Sequence, residues 1–327
     1  MSDTVSIDVH GAAEMLAGMD EIIILTHRNP DGDTLGSGYA LWAGMMQKNI
    51  NARVVCANEI HPMYDYLTSI HNEICNSPID FSTGKIISID TAAPSQLGVY
   101  EKLSGDIILS IDHHGSNTGY ASFTLLDEHA ASCAEIIYDI LLALEADIDK
   151  YIASALYTGI STDTGCYRYR NTTARSHSIT AKLIERGIDL AFLNKTLFET
   201  RSRNGLSLQK MALDSLDFYY HDRIVVITLT RDMVNKAGAS EEDMSQINQI
   251  PRSIEGVEAG IVLRQLDSGM VKGSIRTSGL IDASKVCAVF SGGGHRGAAG
   301  FECSGDIVDV KMAVVHAVIA EFDRKKD

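Results

Sequence analysis

Proline is scarce in this sequence, with 5 residues in 327, and the six cysteines (Cys56, Cys75, Cys133, Cys166, Cys287, Cys303) form no Cys-x-x-Cys pair. The first shortage excludes proline-rich linkers and leaves 27 glycines to make tight turns. The second excludes a thiolate zinc site and a dithiol redox motif, so the thiols are expected to be buried and reduced. Long apolar runs are missing too. None exceeds strand length, so neither a signal peptide nor a membrane span is expected, and the cytoplasm is the expected compartment. Positive charge is in deficit: 28 Lys and Arg face 43 Asp and Glu, for a formal net charge of −15. Such a surface repels phosphate backbones and anionic lipid, which excludes a protein that coats long nucleic acid.

What is present is an apolar fraction of 45%, ample for a core, in a chain long enough for two domains. There is no internal repeat or low-complexity tract. Short β-branched runs recur at Ile22–Leu25, Arg53–Cys56, Ile86–Ile89 and Ile107–Ile111. They are apolar throughout rather than alternating, as a parallel sheet covered on both faces requires. Helix-like stretches lie between and after them, at Asp33–Gln47, Cys133–Leu144 and Tyr151–Gly159. The expectation is an α/β protein with an N-terminal doubly wound, mostly parallel sheet domain over 1–187. An amphipathic helical linker over 188–216 follows. A smaller C-terminal α/β domain then covers 217–327, with strands at Arg223–Thr230, Ala259–Leu266 and Met270–Arg276, and helices near Asp282–Phe290 and from Val308 onward.

Three of the N-terminal strands run into polar residues at their carboxyl ends. Ile22–Leu25 leads to His27, Asp31 and Asp33; Ile86–Ile89 leads to Asp90; and Ile107–Ile111 leads to Asp112, His113 and His114. In open parallel sheets that edge is where ligands bind. A fourth segment, Ser161 to Gly165 with Asp163, follows a helix-like stretch and is expected to close the site from the side. Each fragment alone has an ordinary explanation. Asp31-Gly32-Asp33 suits a surface turn, Asp90-Thr91 a cap for a helix after Pro94, and Asp163 another cap. Together they do not, because several carboxylates packed at one edge repel one another unless cations neutralise them. His27, Asp31, Asp33, Asp90, His113 and Asp163 offer oxygen and imidazole nitrogen without thiolate, which suits Mn²⁺, with Mg²⁺ or Co²⁺ as alternatives. Six ligands exceed one catalytic metal's need. They suit two ions ~3.5–4 Å apart sharing a carboxylate and activating a water against a phosphate ester.

These segments resemble the DHH superfamily of phosphoesterases, named for the Asp112-His113-His114 triplet. The likeness includes His27-x-Asn29-Pro30-Asp31-Gly32-Asp33, Gly36-Ser37, Asp90, and Thr162-Asp163-Thr164-Gly165 with Asn171-Thr172. Downstream, Ser291-Gly292-Gly293-Gly294-His295-Arg296-Gly297-Ala298-Ala299-Gly300 and Ser274-Ile275-Arg276-Thr277-Ser278 resemble the associated C-terminal domain. The resemblance implies a first metal held by His27, Asp31 and Asp90, and a second by Asp33, Asp90, His113 and Asp163, with Asp90 as the bridge. It implies that Asp112 orients His113 through its other ring nitrogen, and that His114 contacts the scissile phosphate or protonates the leaving group.

The second domain is expected to supply recognition. Gly292, Gly293 and Gly294 would line a backbone N–H concavity, His295 and Arg296 would present donors, and Arg276, Arg264 and Ser274 would clamp a phosphate. Tyr167 and Tyr169 are read as core packing. Within the family the resemblance is to the nanoRNase and pAp (phosphoadenosine phosphate) phosphatase group. The expected reaction is Mn²⁺-dependent hydrolysis of very short oligoribonucleotides to nucleoside monophosphates, pAp being a second substrate. Cyclic or linear dinucleotide phosphodiesterases of the c-di-AMP and pApA type are the first alternative, and inorganic pyrophosphatase or exopolyphosphatase a further one. A nucleotide sensor without turnover is disfavoured because every ligand position is filled. The expected partner is a short oligonucleotide or nucleotide, with no long nucleic acid and no membrane; a homodimer is left open.

Overall fold

The computed structural model describes residues 4–74, 80–82 and 84–324, so Cys75 lies outside the described residues. It divides into two compact units, Met1–Thr200 and Arg201–Asp327. Among the described residues no helix is long and apolar enough to cross a membrane. The five described cysteines are free: Cys133 and Cys287 are buried, whereas Cys56, Cys166 and Cys303 are half-buried rather than fully enclosed.

The first unit is built on six parallel strands: β1 (Val5–Ser6), β2 (Glu21–Leu25), β3 (Asn51–Val55), β4 (Lys85–Ile89), β5 (Ile107–Asp112) and β6 (Phe123–Leu126), in the order β1-β6-β5-β4-β2-β3. Its helices are α1 (Val9–Ala17), α2 (Gly32–Gln47), α3 (Asp65–Ile74), α4 (Cys133–Ala143), α5 (Lys150–Asp163), α6 (Ala174–Glu185) and the short α7 (Leu190–Asn194). Side chains alternate across a strand, so Ile22 and Ile24 enter the core under α1, α2, α4 and α5, while Ile23 and Leu25 enter a smaller core with Leu97, Tyr100 and Leu103 of the 3₁₀ segment Pro94–Asp106. Burial on both faces explains the uninterrupted apolar runs. β1 and β6, which the pattern does not reveal, are two and four residues long.

The strand order reverses beside β2: β3 lies on one side of it, and β4, next in the chain, on the other. This switch point opens a crevice at the carboxyl edge, and the neighbouring strands β2, β4 and β5 are those that carry the candidate ligands. α5 runs to Asp163, four residues beyond the expected helix, so Asp163 is its last residue rather than part of a following loop. α2 and α5 meet with almost no side chain between them. A Cβ on Gly32 would fall 2.3 Å from the Thr162 hydroxyl, and one on Gly36 would fall 2.3 Å from the Ala155 carbonyl oxygen and 2.7 Å from the Gly159 nitrogen. This contact brings the start of α2, with Asp31 and Asp33, to the end of α5, with Asp163.

The second unit has a mixed sheet in the order β11-β12-β10-β9-β8-β7, antiparallel except for the parallel pair β8–β9. In chain order its elements are α8 (Arg203–Asp214), β7 (Asp217–Tyr219), β8 (Ile224–Leu229), α9 (Arg231–Ala237), α10 (Glu241–Ile247), β9 (Ala259–Gln265), β10 (Met270–Thr277), α11 (Ala283–Ala288), β11 (Gly293–His295), β12 (Ala298–Ser304) and α12 (Ile307–Asp323). α11 and α12 cover one face through Val286, Val314, Val318 and Phe322, and α8 to α10 cover part of the other through Leu208, Ala237, Met244 and Ile247. Segment 188–216 is shared out, with Leu193 and Leu197 in the first unit's core and Leu208 and Ala212 in the second's.

Because both atoms facing a Cβ at Gly36 are backbone, neither can move aside without parting the helices. Gly36→Ala is expected to lose about 1–3 kcal/mol of unfolding free energy in a denaturant titration, whereas Gly105→Ala, whose Cβ meets nothing within 4 Å, should leave the midpoint unchanged.

Candidate metal centre

Asp31 is the N-cap of α2, its Oδ1 accepting from the backbone N–H of Asp33 (3.0 Å) and Thr34 (3.1 Å). That cap turns the chain so that His27 Nε2 lies 3.5 Å from Asp31 Oδ1 and 3.6 Å from Asp90 Oδ2. In the first turn of α2, Asp33 accepts from the N–H of Cys133 (2.7 Å) and Ala134 (3.0 Å), the first residues of α4. His113 Nε2 lies 3.8 Å from Asp33 Oδ2, 3.5 Å from Asp90 Oδ1 and 3.9 Å from Asp163 Oδ2. Two ligand groups result, each with its atoms within 4.8 Å of one another: His27, Asp31 and Asp90; and Asp33, His113 and Asp163. A third combination, Asp90, His113 and His114, overlaps them. All six residues expected to hold metal are therefore brought together.

Asp90 stands between the groups. It has φ +56° at the end of β4, a left-handed conformation that a non-glycine residue adopts at a cost of about 1–3 kcal/mol when its surroundings enforce it. It is 3% exposed, and its buried Oδ1 accepts no hydrogen bond. A buried carboxylate oxygen left in that state is expensive, and a divalent cation is the partner that the surrounding oxygen and imidazole donors suit. The residues fit a pair of ions.

The triplet works differently from the expectation. Asp112 does not touch the His113 ring: its Oδ1 accepts from His114 Nδ1 (2.8 Å) and from the N–H of His113 (2.8 Å) and His114 (3.2 Å), while Oδ2 accepts from Asn117 Nδ2 (2.7 Å). The His113 ring is set instead by its Nδ1–H, which donates to the Ala130 carbonyl at 3.3 Å and leaves Nε2 for the carboxylates. Asp112 and Ser132 are fully buried at this edge, and Asp112 orients His114.

In the second unit, register decides which recognition candidates share a face. Lys272 pairs with Arg264, Ser274 with Val262, and Arg276 with Gly260, so Arg264, Lys272, Ser274 and Arg276 project together on the side that α10 only partly covers. A cavity of about 110 Å³ opens there between Arg264, Lys272, Ser274, Asn248 and Met244. That volume suits a phosphate or the edge of a base rather than a whole nucleotide. The glycine run is not an open concavity. Gly293 and Gly294 form β11 against β12; a Cβ on Gly292 would strike Gly300 O at 2.3 Å, and Gly294, at φ +141°, would strike Ala298 O at 2.7 Å. Strand packing thus accounts for two of the three glycines, and only Gly293 faces open space. Arg296 is exposed and donates to the Gly279 carbonyl at 3.3 Å. The His295 side chain lies outside the described part of the structure.

Residues 21–160 match the model of the DHH family, N-terminal domain, and residues 221–322 match that of the DHHA1 domain. The chain is 30% identical over 315 residues to a protein of Thermus thermophilus named bifunctional oligoribonuclease and PAP phosphatase NrnA, covering 95% of this chain and 94% of that one. It is 26% identical to the cyclic-di-AMP phosphodiesterase PdeA of Listeria monocytogenes over 86% of this chain and 44% of that one. Its fold is shared with an exopolyphosphatase-related protein of Bacteroides fragilis, at TM-score 0.87 and 24% identity, covering 98% and 97% of the two chains. The chain belongs to the DHH family of phosphoesterases.

In this DHH phosphoesterase the crowding of charge is carried by the histidines. Burial alone would lower the His27 imidazole, but its contacts with Asp31 and Asp90 outweigh burial and raise it from 6.5 to about 10. Asp90, Asp33 and Asp163 raise His113 to about 10 against the same opposing burial. Burial, and the negative charge of Asp90 and Asp31 beside it, push Asp163 up to about 7, and burial with Asp90 and Asp163 pushes Asp33 well above the carboxylate range. Sequence reasoning missed Asn117 and the backbone of the Ala130–Ala134 turn, because a loop amide and main-chain groups carry no signature. It also missed Lys272 and Asn248, although Lys272 could be found from the alternation Lys272, Ser274, Arg276.

Ligation needs the imidazoles neutral, whereas with raised pKa values they are protonated at pH 7. Metal binding to the metal-free enzyme is therefore expected to release protons. Calorimetric titration of Mn²⁺ at pH 7 in buffers of different ionisation enthalpy measures this, and a binding heat independent of buffer contradicts the protonated resting state.

Proposed function

We propose that this DHH phosphoesterase hydrolyses very short oligoribonucleotides to nucleoside monophosphates with two divalent ions, Mn²⁺ in the first place, and dephosphorylates pAp as a second reaction. The observation that carries it is Asp90, with one oxygen toward each ligand group and a buried Oδ1 that accepts no hydrogen bond. The Thermus thermophilus relative, similar over nearly its whole length and named for both activities, supports the substrate class. The net charge of −15 supports short rather than long polyanions.

His27, Asp31 and Asp90 would hold one ion, and Asp33, Asp90, His113 and Asp163 the other. Bound there, the ions polarise the phosphoryl oxygens and acidify water. The chain's own groups do the rest. Asp33 and Asp163, held by backbone and amide donors, keep the ligand geometry from relaxing. Asp112 fixes His114 through Nδ1, so the proton that His114 gives to a departing oxygen is the one on Nε2. Arg264, Lys272, Ser274 and Arg276 present donors on one sheet face for a substrate phosphate, with Gly293 in the edge strand β11 and Arg296 in the turn that follows it. A cyclic or linear dinucleotide phosphodiesterase is the second reading, favoured by the likeness to the Listeria monocytogenes enzyme.

With Mn²⁺, RNA of two to five nucleotides should be cleaved with higher kcat/KM than cyclic dinucleotides or pyrophosphate, and pAp should also be turned over; a preference for pyrophosphate or a cyclic dinucleotide overturns the assignment. Asp90→Asn is expected to lower kcat by at least ~10²-fold. Arg276→Ala should raise KM by about ten- to a hundredfold with kcat little changed; an unchanged KM removes Arg276 from the substrate site.

A further inference from the structure

One short turn bonds two ligands of the proposed second ion, His113 and Asp33, and reaches a third, Asp163, through Asn171. The Ala130 carbonyl takes the Nδ1–H of His113 (3.3 Å), and the N–H groups of Cys133 and Ala134 bind both oxygens of Asp33 (2.7 and 3.0 Å). The Ala131 carbonyl accepts from Asn171 Nδ2 (2.9 Å), which also reaches Asp163 Oδ2 (3.2 Å). His27 and Asp31 are held elsewhere, by Asp90 and by the first turn of α2. Ala130–Ala134 is thus a shared hydrogen-bonding partner of one ligand group, direct for His113 and Asp33 and through Asn171 for Asp163.

The turn is fastened by a pair that the reaction as described does not use. Glu135, in the first turn of α4, is fully buried. Its Oε2 accepts from the Ala131 N–H at 3.5 Å and lies 3.4 Å from Arg175 Nε, while its Oε1 is buried without a hydrogen bond. Arg175 also donates to the Glu135 carbonyl (3.4 Å) and to Asp139. It sits in the first turn of α6, four residues after Asn171, so the pair ties the Ala131 side of the turn to the Asn171 side. A fully buried carboxylate with one oxygen unbonded is costly, and the Ala131 N–H and Arg175 are the groups that offset the cost at Glu135.

We infer that Glu135 and Arg175 are positioning residues for the second metal site, acting through the Ala130–Ala134 turn. The inference rests on the two-ion reading, so its test counts ions before it compares variants. Mn²⁺ is titrated into the metal-free full-length chain and followed by calorimetry and by electron paramagnetic resonance of the free ion. The wild type should bind two ions. Glu135→Gln, and Arg175→Met on the more accessible partner, should weaken one site by about ten- to a hundredfold and leave the other unchanged. The weakened site should be the one lost in Asp163→Asn and kept in Asp31→Asn, and raised Mn²⁺ should restore kcat. Thermal denaturation of each variant shows whether it is folded. A folded Arg175→Met or Glu135→Gln protein with both affinities unchanged, or with both lowered alike, makes the pair a helix cap and overturns the inference alone. A wild type that binds fewer than two ions overturns the two-ion reading itself.

Discussion

The constraint on which the first unit depends is the mutual repulsion of four carboxylates, Asp31, Asp33, Asp90 and Asp163, gathered with two imidazoles at one sheet edge. In a partly water-excluded crevice such charges do not coexist unaided. The chain answers in two ways. Protons reside on His27 and His113, whose pKa values rise to about 10, and oxygens are bound by backbone donors at the start of α2 and α4. Both devices suit a centre whose charge divalent cations complete.

The architecture serves that concentration of charge. Parallel strands deliver their carboxyl ends to one edge, and the reversal of strand order beside β2 leaves room there for side chains from β2, β4 and β5. The glycine contact between α2 and α5 brings Asp163 to Asp33, so a backbone approach closer than any side chain permits is a condition of the site. The left-handed turn at Asp90 has the same character, strain held in place by the packing around it.

The six candidate ligands that the structure brings together, and the strands that carry most of them, were legible in the amino-acid order, because each apolar run ends in its polar residues and the segments keep the family's spacing. The partners of those ligands were less so. Asp112 adjoins His113 in the chain, yet its carboxylate bonds the ring of His114, since the ring of His113 turns to the Ala130 carbonyl. The glycine run read as a phosphate cradle is largely an edge strand whose glycines accommodate β12. Short strands such as β1 and β7 take their conformation from pairing and carry almost no pattern of their own.

Composition and order by themselves determined the chemical class of the candidate ligands, the parallel sheet that presents them, and the net charge of −15, because residue type and periodicity act locally. Tertiary structure alone decided which imidazole Asp112 orients, that Asp90 lies between two ligand groups, that Arg264, Lys272, Ser274 and Arg276 share a face, and that one turn bonds His113 and Asp33 and, through Asn171, reaches Asp163. Each of these is a contact between groups distant in the chain or set by backbone direction, and such contacts exist only once the core has packed.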